Sequence, residues 1–436
     1  MTKKFFRTKE FIVKTIIVAV VLLLTGLSFL FSEKLEIAFG LRQTFGEFER
    51  NKEYVLGSDY YVSYLDVGQG NCTFVKLPDG KTMLIDAGNT MYGKTVVDFL
   101  KDSGVTAIDY LIATHADSDH IGGFLSVLDV FEVKNIFRPF QICGSGSNFE
   151  SFVPSACEDL ADVYSSFVTE YGNRTKISRV TTSIYNDFIK GIYNETYKSG
   201  NIDVPSEVTV FYDGLKLSGE GYDIEFYAPA VRDERFNLRT MSRTNGYATV
   251  GYGASSSNDN SAIFVLNCLG NSYFFSGDAS FEGSSQSSYE EIDFVNSLTE
   301  LERERLLNIT VFMVGHHGSA HSSGSILLDV ICPKFFVISV GVDNSYGHPA
   351  SSTLERIKNS KNFAEDRLLI TSECGTIWIT GTGGKAFFAC DVRINKTTYS
   401  ISWELLSSIL AVTICVIVCS VKPRARRVNS LTAKKN

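Results

Sequence analysis

Short apolar runs that end in polar residues recur along the middle of the chain. Ile108–Ala113, Ile309–Val314 and Phe335–Val340 are rich in β-branched and aromatic residues and have the length of buried strands. A fourth run, Ser272–Phe275, leads into Ser-Gly-Asp, and short strands separated by glycine turns are predicted over 368–389. The pattern predicts a layered α/β domain whose strands end in acids and histidines.

Two longer apolar segments lie near the ends of the chain. Residues 11–31 and 401–421 each have about the 20 residues that a membrane-spanning helix needs. Basic residues flank both segments on their outer sides, namely Lys3, Lys4, Arg7 and Lys9 before the first and Lys422, Arg424, Arg426, Arg427, Lys434 and Lys435 after the second. The positive-inside rule therefore predicts a cell-membrane protein with cytoplasmic tails at 1–10 and 422–436 and an extracytoplasmic domain at 32–400.

Each apolar segment has an alternative interpretation. The first also fits a secretory signal peptide, whose cleavage would leave an anchor only at the C-terminal end. No small-x-small cleavage site follows it, which favours an uncleaved anchor. The second could be a buried core helix, but its terminal position and basic tail favour a membrane span.

Composition and charge restrict the class of protein and of partner. The chain has 436 residues, of which 44% are hydrophobic and 21% charged, a globular composition that allows a sizeable core. Between the two apolar segments, 30 Lys and Arg face 47 Asp and Glu, a formal charge of about −17. Such a surface does not attract polyanions unless positive charge is concentrated locally. The nine cysteines include no Cys-x-x-Cys pair, which disfavours a zinc ribbon or a thioredoxin motif.

All six histidines of the chain lie in three short stretches. These are His115 and His120 in THADSDHIGG, His316, His317 and His321 in VGHHGSAHSSG, and His348 in SYGHP. Each stretch follows a predicted strand, as Asp278 does, so we expect the strand ends to collect these side chains at one rim of the domain. Imidazole and carboxylate groups bind zinc, iron or manganese, and one carboxylate can bridge two ions. A pair of ions lowers the pKa of a shared water, so no protein nucleophile is needed for hydrolysis.

Six stretches, in this order, resemble the motifs of the metallo-β-lactamase superfamily. They are Leu65–Gly70, Leu84–Gly88, the decapeptide THADSDHIGG at 114–123, Ser276–Asp278, Val314–Ser319 and Asn344–Pro349. The chain resembles most closely the hydrolase domain of the ComEC family of competence proteins, over residues 62 to about 380. The resemblance implies an αββα sandwich with a dinuclear site, occupied by two Zn²⁺ or Mn²⁺ ions, at one edge.

The resemblance also implies a set of metal ligands. Carried over position by position, His115 and Asp117 serve the first ion, Asp119 and His120 the second, and Asp278 bridges the two. His316 or His317, together with His348, completes the shells. Asp117 stands where the common motif has histidine, a change that the ComEC-like branch shares, and an additional histidine found in many members is missing before Asp278. With fewer nitrogen ligands, manganese is as suitable as zinc.

Several residues have two possible roles. Neighbouring side chains on an extended segment point in opposite directions, so we expect His316 to face the metal and His317 to act as an acid or contact substrate. Asp117 is either a ligand or a general base. Asp66 and Asp86 either cap backbone amides in turns or hydrogen-bond to a ligating histidine. His321 is assigned no role.

A long polar segment, about residues 140–260, separates THADSDHIGG from Asp278. We interpret it as an insertion whose loops lie near the mouth of the site and influence the choice of substrate, since binding residues are often found on loops.

These patterns predict a membrane-anchored dinuclear hydrolase, with a phosphodiesterase or nuclease as the favoured activity. The resemblance favours DNA as substrate and membrane proteins as partners, whereas the acidic domain disfavours DNA. A cell-wall or phosphocholine phosphodiester is the competing substrate, since a small headgroup needs no extended basic groove. A non-catalytic metal-binding module of the same fold is the other alternative. It is disfavoured because His115, Asp119, His120 and Asp278 are all present.

Overall fold

The computed structural model describes residues 2–30, 47–139, 183–211, 213–228, 258, 261–281, 290–342, 344–391 and 403–420. The chain divides into two compact units, one formed by 1–45 with 395–436 and the other by 46–394.

The first unit contains two helices, α1 (Thr2–Leu30) and α12 (Trp403–Ser420). Within α1, Phe11–Phe29 is long and apolar enough to cross a membrane, although a signal sequence meets the same criterion. In α12 the described apolar stretch, Ser407–Ser420, is shorter than a span. The span at 401–421 therefore stays a prediction.

The second unit is built on two large β-sheets. The strands of the first sheet are β1 (Tyr61–Tyr64), β2 (Thr73–Lys76), β3 (Thr82–Ile85), β4 (Ala107–Ile112), β5 (Glu132–Arg138), β8 (Glu207–Val210), β16 (Ile377–Thr382) and β17 (Lys385–Cys390). Their spatial order is β17-β16-β1-β2-β3-β4-β5-β8. The neighbours from β3 to β8 are parallel and the other pairs antiparallel, so β3, β4 and β5 end at the same edge of the sheet.

The second sheet supplies the other half of the domain. Its strands are β9 (Lys216–Gly219), β10 (Tyr222–Ala228), β11 (Ile263–Cys268), β12 (Asn271–Phe275), β13 (Val311–Met313), β14 (Phe335–Ile338) and β15 (Leu368–Ile370). The order runs from β15 through β14, β13, β12, β11 and β10 to β9, with β12 to β15 parallel. The four apolar runs interpreted as strands correspond to β4, β12, β13 and β14. A separate hairpin joins β6 (Thr196–Ser199) to β7 (Ile202–Pro205).

Part of the segment interpreted as an insertion belongs to the sandwich itself. Within 140–260, β8 extends the first sheet beside β5, and β9 and β10 extend the second sheet. β8 and β9 have four residues each, and polar residues alternate with apolar ones at the start of β10, so none of the three contains a long continuous apolar run. Much of the remainder of 140–260 lies outside the described residues.

Helices cover the outer face of each sheet. The first sheet packs against α3 (Gly93–Asp102), α5 (Phe124–Leu128) and α6 (Ser183–Asn194). The second packs against α7 (Glu290–Ser297), α8 (Glu300–Leu306), α9 (Ser325–Ile331) and α10 (Ser351–Lys358). Three further helices are one turn or slightly longer, namely α2 (Lys52–Leu56), α4 (Ser118–Ile121) and α11 (Thr371–Cys374). The layers therefore follow the order helix, sheet, sheet, helix, and the predicted αββα arrangement is confirmed.

The two sheets meet through stacked aromatic rings. Phe264 lies between Phe226 and Phe275, with ring centroids 5.0 and 4.9 Å away, and Phe137 from the first sheet stacks on Phe226 at 6.2 Å. Phe264 is fully buried. Burying one such side chain stabilises the fold by roughly 1.5–3 kcal/mol. This core holds the ends of the parallel strands, and the loops that follow them, in fixed positions.

Candidate metal centre

The loop after β4 brings two acids and two histidines to the edge of the first sheet. His115 and His120 are fully buried, whereas the side chains of Asp117 and Asp119 are 36% and 29% exposed. The loop turns directly into α4 and then passes close to the β3 end at Gly123, where an added Cβ would lie only 2.1 Å from the Ala87 carbonyl oxygen. Glycine is therefore required there for the loop to pack against the sheet.

Asp86 fixes the orientation of His120. Its Oδ2 lies 2.7 Å from Nδ1 of His120, and its two oxygens accept hydrogen bonds from the backbone N–H and the hydroxyl of Thr114. With Nδ1 donating to a carboxylate, Nε2 of His120 keeps its lone pair for a metal ion. Asp66, the other acid with two possible roles, is exposed and accepts from the Gly68 amide at 3.1 Å. The structure thus places Asp86 against a histidine and Asp66 in a turn.

Asp278 lies at the centre of the histidine cluster. It is buried at the end of β12, and its backbone N–H donates to the Ser261 hydroxyl. Its Oδ1 lies 3.1 Å from Nε2 of His120. Its Oδ2 lies 3.5 to 3.8 Å from the Nε2 atoms of three further residues, His316, His115 and His317. One carboxylate therefore contacts both halves of the cluster, as a bridging ligand would.

His316 and His317 do not lie on an extended segment. Both have left-handed backbone conformations, with φ of 51° and 54°, in a short turn at Gly315–Gly318. Both rings therefore reach Asp278, which corrects the expectation that they would point in opposite directions. His317 is buried, with Nδ1 2.9 Å from the Ser339 carbonyl oxygen and Nε2 3.3 Å from Oδ2 of Asp119. Nε2 of His317 therefore faces the two carboxylates of Asp119 and Asp278.

The potential ligands form two overlapping groups. In one, His115, His120 and Asp278 offer atoms that lie within 4.8 Å of one another, and in the other Asp119, His120 and His317 do the same. Oδ2 of Asp117 lies 3.7 Å from Nε2 of His115. These distances leave space for cations between the side chains.

His348 lies at the open side of this cluster. Its ring is 5.7 Å from that of His316 and 5.8 Å from that of Tyr346. The cluster opens into a cleft of about 390 Å³, also lined by Gln69, Ser183 and Ile184. The start of α6 therefore reaches the mouth of the site. His321 is exposed and lies outside the cluster.

The polar atoms of the cluster are buried without ordinary partners. Six atoms make no hydrogen bond within the described part of the chain, namely Nε2 of His115, His120 and His317, Nδ1 of His316 and His348, and Oδ1 of Asp278. Leaving a buried polar atom unsatisfied costs about 1–3 kcal/mol. Imidazole nitrogens and carboxylate oxygens are the donors that zinc, iron and manganese accept. The residues present therefore fit divalent cations.

The charges of the cluster are strongly coupled. Burial would raise the pKa of Asp278, but the surrounding histidines, His120 foremost, hold it well below its usual value. Burial also opposes ionisation of Asp119, yet contact with His317 and the charge of His120 lower its pKa to about 2. Burial and the charges of His316 and His317 lower the pKa of His348 to about 4. Burial opposes the charged form of His120 and His317, but the carboxylates in turn raise the pKa of His120 well above its usual value and also raise that of His317. At neutral pH the site therefore offers two carboxylates and the neutral His348, and a cation bound by His120 or His317 would displace a proton from the ring.

Three hydroxyl-bearing residues that support the site were missed from the sequence. Thr114 holds Asp86, Ser261 holds Asp278, and Ser339 holds His317 through its carbonyl group. Ser339 interrupts an apolar strand-like run, and Thr114 directly precedes His115. The sequence feature that could have indicated such supporting residues is a polar residue at the end of a buried strand.

Comparisons with known proteins agree with this architecture. Residues 65–139, which include Asp86 and THADSDHIGG, match the family model described as the Metallo-beta-lactamase superfamily. ComE operon protein 3 of Bacillus subtilis is 25% identical over 341 residues, covering 74% of this chain and 33% of the relative. Competence protein ComA of Neisseria gonorrhoeae is 24% identical over 313 residues, covering 70% of this chain and 30% of the relative. The predicted resemblance is confirmed, and the chain spans about a third of the length of these relatives.

Solved structures of similar proteins include the metallo-beta-lactamase fold protein YhfI from Bacillus subtilis. It has a TM-score of 0.35 and 9% identity, and the match covers 72% of this chain and 96% of YhfI. CmlA, a diiron beta-hydroxylase from Streptomyces venezuelae, has a TM-score of 0.34 and 12% identity, with coverage of 73% and 54%.

Proposed function

We propose that this protein is a two-metal hydrolase that cleaves phosphodiester bonds. The observation that carries the proposal is the convergence of four histidines, through Nε2 of His115, His120, His316 and His317, on the buried carboxylate of Asp278. Three of these Nε2 atoms, those of His115, His120 and His317, make no hydrogen bond within the described part of the chain. Two divalent ions, when bound, lower the pKa of water and stabilise negative charge on a phosphoryl oxygen.

The contacts suggest how the side chains divide between two cation sites. His115 and His316 face Oδ2 of Asp278, Asp117 lies against His115, and His348 lies beside His316. Asp119, His120 and His317 form the other group, and Asp278 reaches both. Each group combines nitrogen and oxygen donors, which suits Zn²⁺ and Mn²⁺ alike.

The chain's own residues would then have separate tasks. Asp86 and the Ser339 carbonyl group hold His120 and His317 with their Nε2 atoms towards the site. Asp117 has the more exposed of the two loop carboxylates, so it can both contact a cation and take up a proton at the cleft. We assign proton transfer to Asp117 rather than to His317, because Nδ1 of His317 contacts the Ser339 carbonyl oxygen and Nε2 faces the candidate ligands Asp119 and Asp278.

Two observations favour different classes of phosphodiester substrate. A site of this kind acts on phosphorus without a protein nucleophile. The names of two relatives, Competence protein ComA and Recombination protein 2 of Haemophilus influenzae, favour DNA. The acidic composition favours a small phosphodiester instead, such as a cell-wall or phosphocholine headgroup. The two classes are distinguished by assay with single-stranded DNA and with cell-wall polymers.

The deciding experiment uses the full chain purified in detergent. We expect bound zinc or manganese by mass spectrometry and hydrolysis of bis-p-nitrophenyl phosphate that depends on the added ion. Asp278→Asn should lower metal content and reduce kcat/KM at least about 100-fold, since it removes the shared carboxylate. Asp129→Asn, which replaces an exposed acid at the C-terminal end of α5, is the matched control and should change neither. Stoichiometric metal without any hydrolysis would instead identify a non-catalytic metal-binding module.

We further propose that α1 anchors the protein in the cell membrane, with residues 32–400 outside and both tails in the cytoplasm. The apolar stretch Phe11–Phe29 supports the anchor, and the basic residues at both ends of the chain support the orientation. Reporter fusions at residue 40 and at the C-terminus test it, because they should report opposite sides of the membrane.

A further inference from the structure

The loop that follows His317 is held from one side by a buried acid. We call residues 319–324, Ser-Ala-His-Ser-Ser-Gly, the serine loop. Glu291, on α7, is fully buried, and its carboxylate accepts hydrogen bonds from the backbone N–H groups of Ser323 and Gly324 at 2.5 and 2.7 Å. A buried carboxylate is costly unless hydrogen bonds compensate it, so the loop and this acid depend on each other.

An arginine holds the same loop through its carbonyl groups. Arg356, on α10, donates from Nη2 to the carbonyl oxygens of Ser322 and Ala320 at 2.8 and 3.0 Å, and from Nε to that of Ser323 at 3.1 Å. The backbone of the serine loop is therefore fixed by a negative group on its amides and a positive group on its carbonyls. Charge-assisted hydrogen bonds of this kind are stronger than neutral ones.

The serine loop in turn fixes the residue that precedes the two histidines. The Gly315 N–H donates to the Ser323 hydroxyl at 3.1 Å, and the Ser322 hydroxyl donates to the Gly315 carbonyl oxygen at 2.6 Å. Ser323 has a left-handed φ of 56°, a conformation that serine adopts only when its surroundings impose it. The positions of His316 and His317 thus depend on contacts outside the cluster.

The same loop meets the two other segments that carry candidate ligands. On the Asp278 side, the Phe281 N–H donates to the His321 carbonyl oxygen, and Ser280 is bonded to the start of α7 through Glu290 and the Glu291 N–H. On the His348 side, α10 begins shortly after His348, and the Thr353 hydroxyl donates to the Ser319 carbonyl oxygen at 2.6 Å. Three separate segments of the site are therefore connected through one loop.

We propose that Glu291 and Arg356 are positioning residues that set the metal affinity of the site by holding the serine loop. The inference rests on the metal centre of the proposed function, but not on hydrolysis. Neither residue is among the cluster's candidate ligands, so their effect would pass through the backbone of residues 315–324. Support of this indirect kind typically changes metal affinity 10- to 100-fold.

The test measures metal binding by the full chain in detergent at pH 7.5, with Mn²⁺ and Zn²⁺ in separate calorimetric titrations of metal-stripped protein. Glu291→Gln and Arg356→Lys should each raise Kd about 10- to 100-fold. Glu225→Gln and Arg305→Lys are the matched controls, because Glu225 on the second sheet and Arg305 on α8 are an acid and an arginine that bond to each other, at 2.9 Å, and not to the serine loop. The controls should leave Kd within about twofold of the wild-type value, whatever they do to the melting temperature. In the double variant of Glu291 and Arg356, the loss should be smaller than the product of the single losses, because both act on one loop.

Two results would overturn the proposal. One is an unchanged Kd in both variants, and the other is an equal loss of affinity in controls that are destabilised to the same degree.

Metal binding without hydrolysis would refute the proposed function and leave this inference standing. If the wild-type chain bound neither ion, the proposed function would fail. Hydrogen exchange of peptides covering 315–324 would then decide, since Glu291→Gln must accelerate it there and Glu225→Gln must not.

Discussion

The carboxylate of Asp86 determines which nitrogen of His120 is available to a cation. It is buried, it has a left-handed φ of 56°, and it contacts no other candidate ligand than His120 among the hydrogen bonds and ion pairs of the described residues. A residue held in such a backbone conformation at a strand end indicates that the surroundings impose its position.

Replacing Asp86 should weaken metal binding without removing a ligand. We expect Asp86→Ala to raise Kd for Zn²⁺ or Mn²⁺ about 10- to 100-fold, because the His120 ring loses the partner that orients it. Asp66→Ala is the control, since that exposed side chain only caps a turn. Equal metal affinity of the two variants, measured by calorimetric titration, would contradict the role given to Asp86.

Glu291 should make the stability of the domain depend on pH. Burial raises its pKa from 4.5 to about 7, against the lowering effect of the two amide hydrogen bonds and Arg356. The folded chain therefore holds a proton that the unfolded chain has lost, and this contribution to stability is complete below about pH 4.5 and lost as pH rises through 7.

Metal-free wild-type protein and Glu291→Gln should differ in a pH-dependent way. Between pH 4.5 and 8, the free energy of unfolding of the wild type should fall by up to roughly 3 kcal/mol relative to the variant. Denaturant titrations of both proteins at several pH values measure this difference. Parallel curves across that range would show that Glu291 does not titrate as the structure indicates.

The roles of His316 and His317 illustrate what the sequence could not provide. The clustering of histidines after strands correctly indicated which side chains meet, because strand ends are set by the hydrophobic pattern. The division of roles between these two neighbours depended on φ and ψ, which are imposed by hydrogen bonds between Gly315 and the adjacent serine loop. The backbone of that loop is held in turn by Glu291 and Arg356, which lie on other elements. Local spacing carries no information about such contacts.

Among the elements, the strands with continuous apolar character were predictable and the amphipathic ones were not. The runs of β12, β13 and β14 are almost entirely buried, and β4 is buried at Ile108, Leu111 and Ile112, so these runs stand out from their surroundings. By contrast, β9 reads Lys-Leu-Ser-Gly and lies at the edge of its sheet, so only its pairing with β10 identifies it as a strand. Long-range pairing of this kind is decided by the whole fold.

The aromatic stack between the sheets is the element of the fold most sensitive to truncation. We expect Phe264→Ala to lower the free energy of unfolding by about 3–5 kcal/mol, because it opens a cavity between Phe226 and Phe275. Phe264→Leu keeps most of the volume and should cost less, by at least about 1 kcal/mol. Urea titration of metal-free protein measures both, and equal losses would argue against tight ring packing at this position.

For the molecule as a whole, net charge should govern which phosphodiesters are cleaved. A domain near −17 repels an oligonucleotide at low ionic strength, and salt screens that repulsion. We therefore expect kcat/KM for single-stranded DNA to rise between about 20 and 150 mM salt, whereas bis-p-nitrophenyl phosphate, with a single charge, should respond much less. A decrease with salt for DNA would reveal a local basic groove and favour a nuclease.

The candidate ligands come from both sheets, with His115 to His120 following β4 of the first sheet and the rest following β12, β13 and β14 of the second. Cations bound by ligands from both sheets would cross-link the two layers of the sandwich, which otherwise pack together through apolar side chains. A chelator should then loosen the halves from each other and lower the melting temperature. The complete set of ligands exists only after the two layers have packed together, so binding of the ions would be the last step of folding.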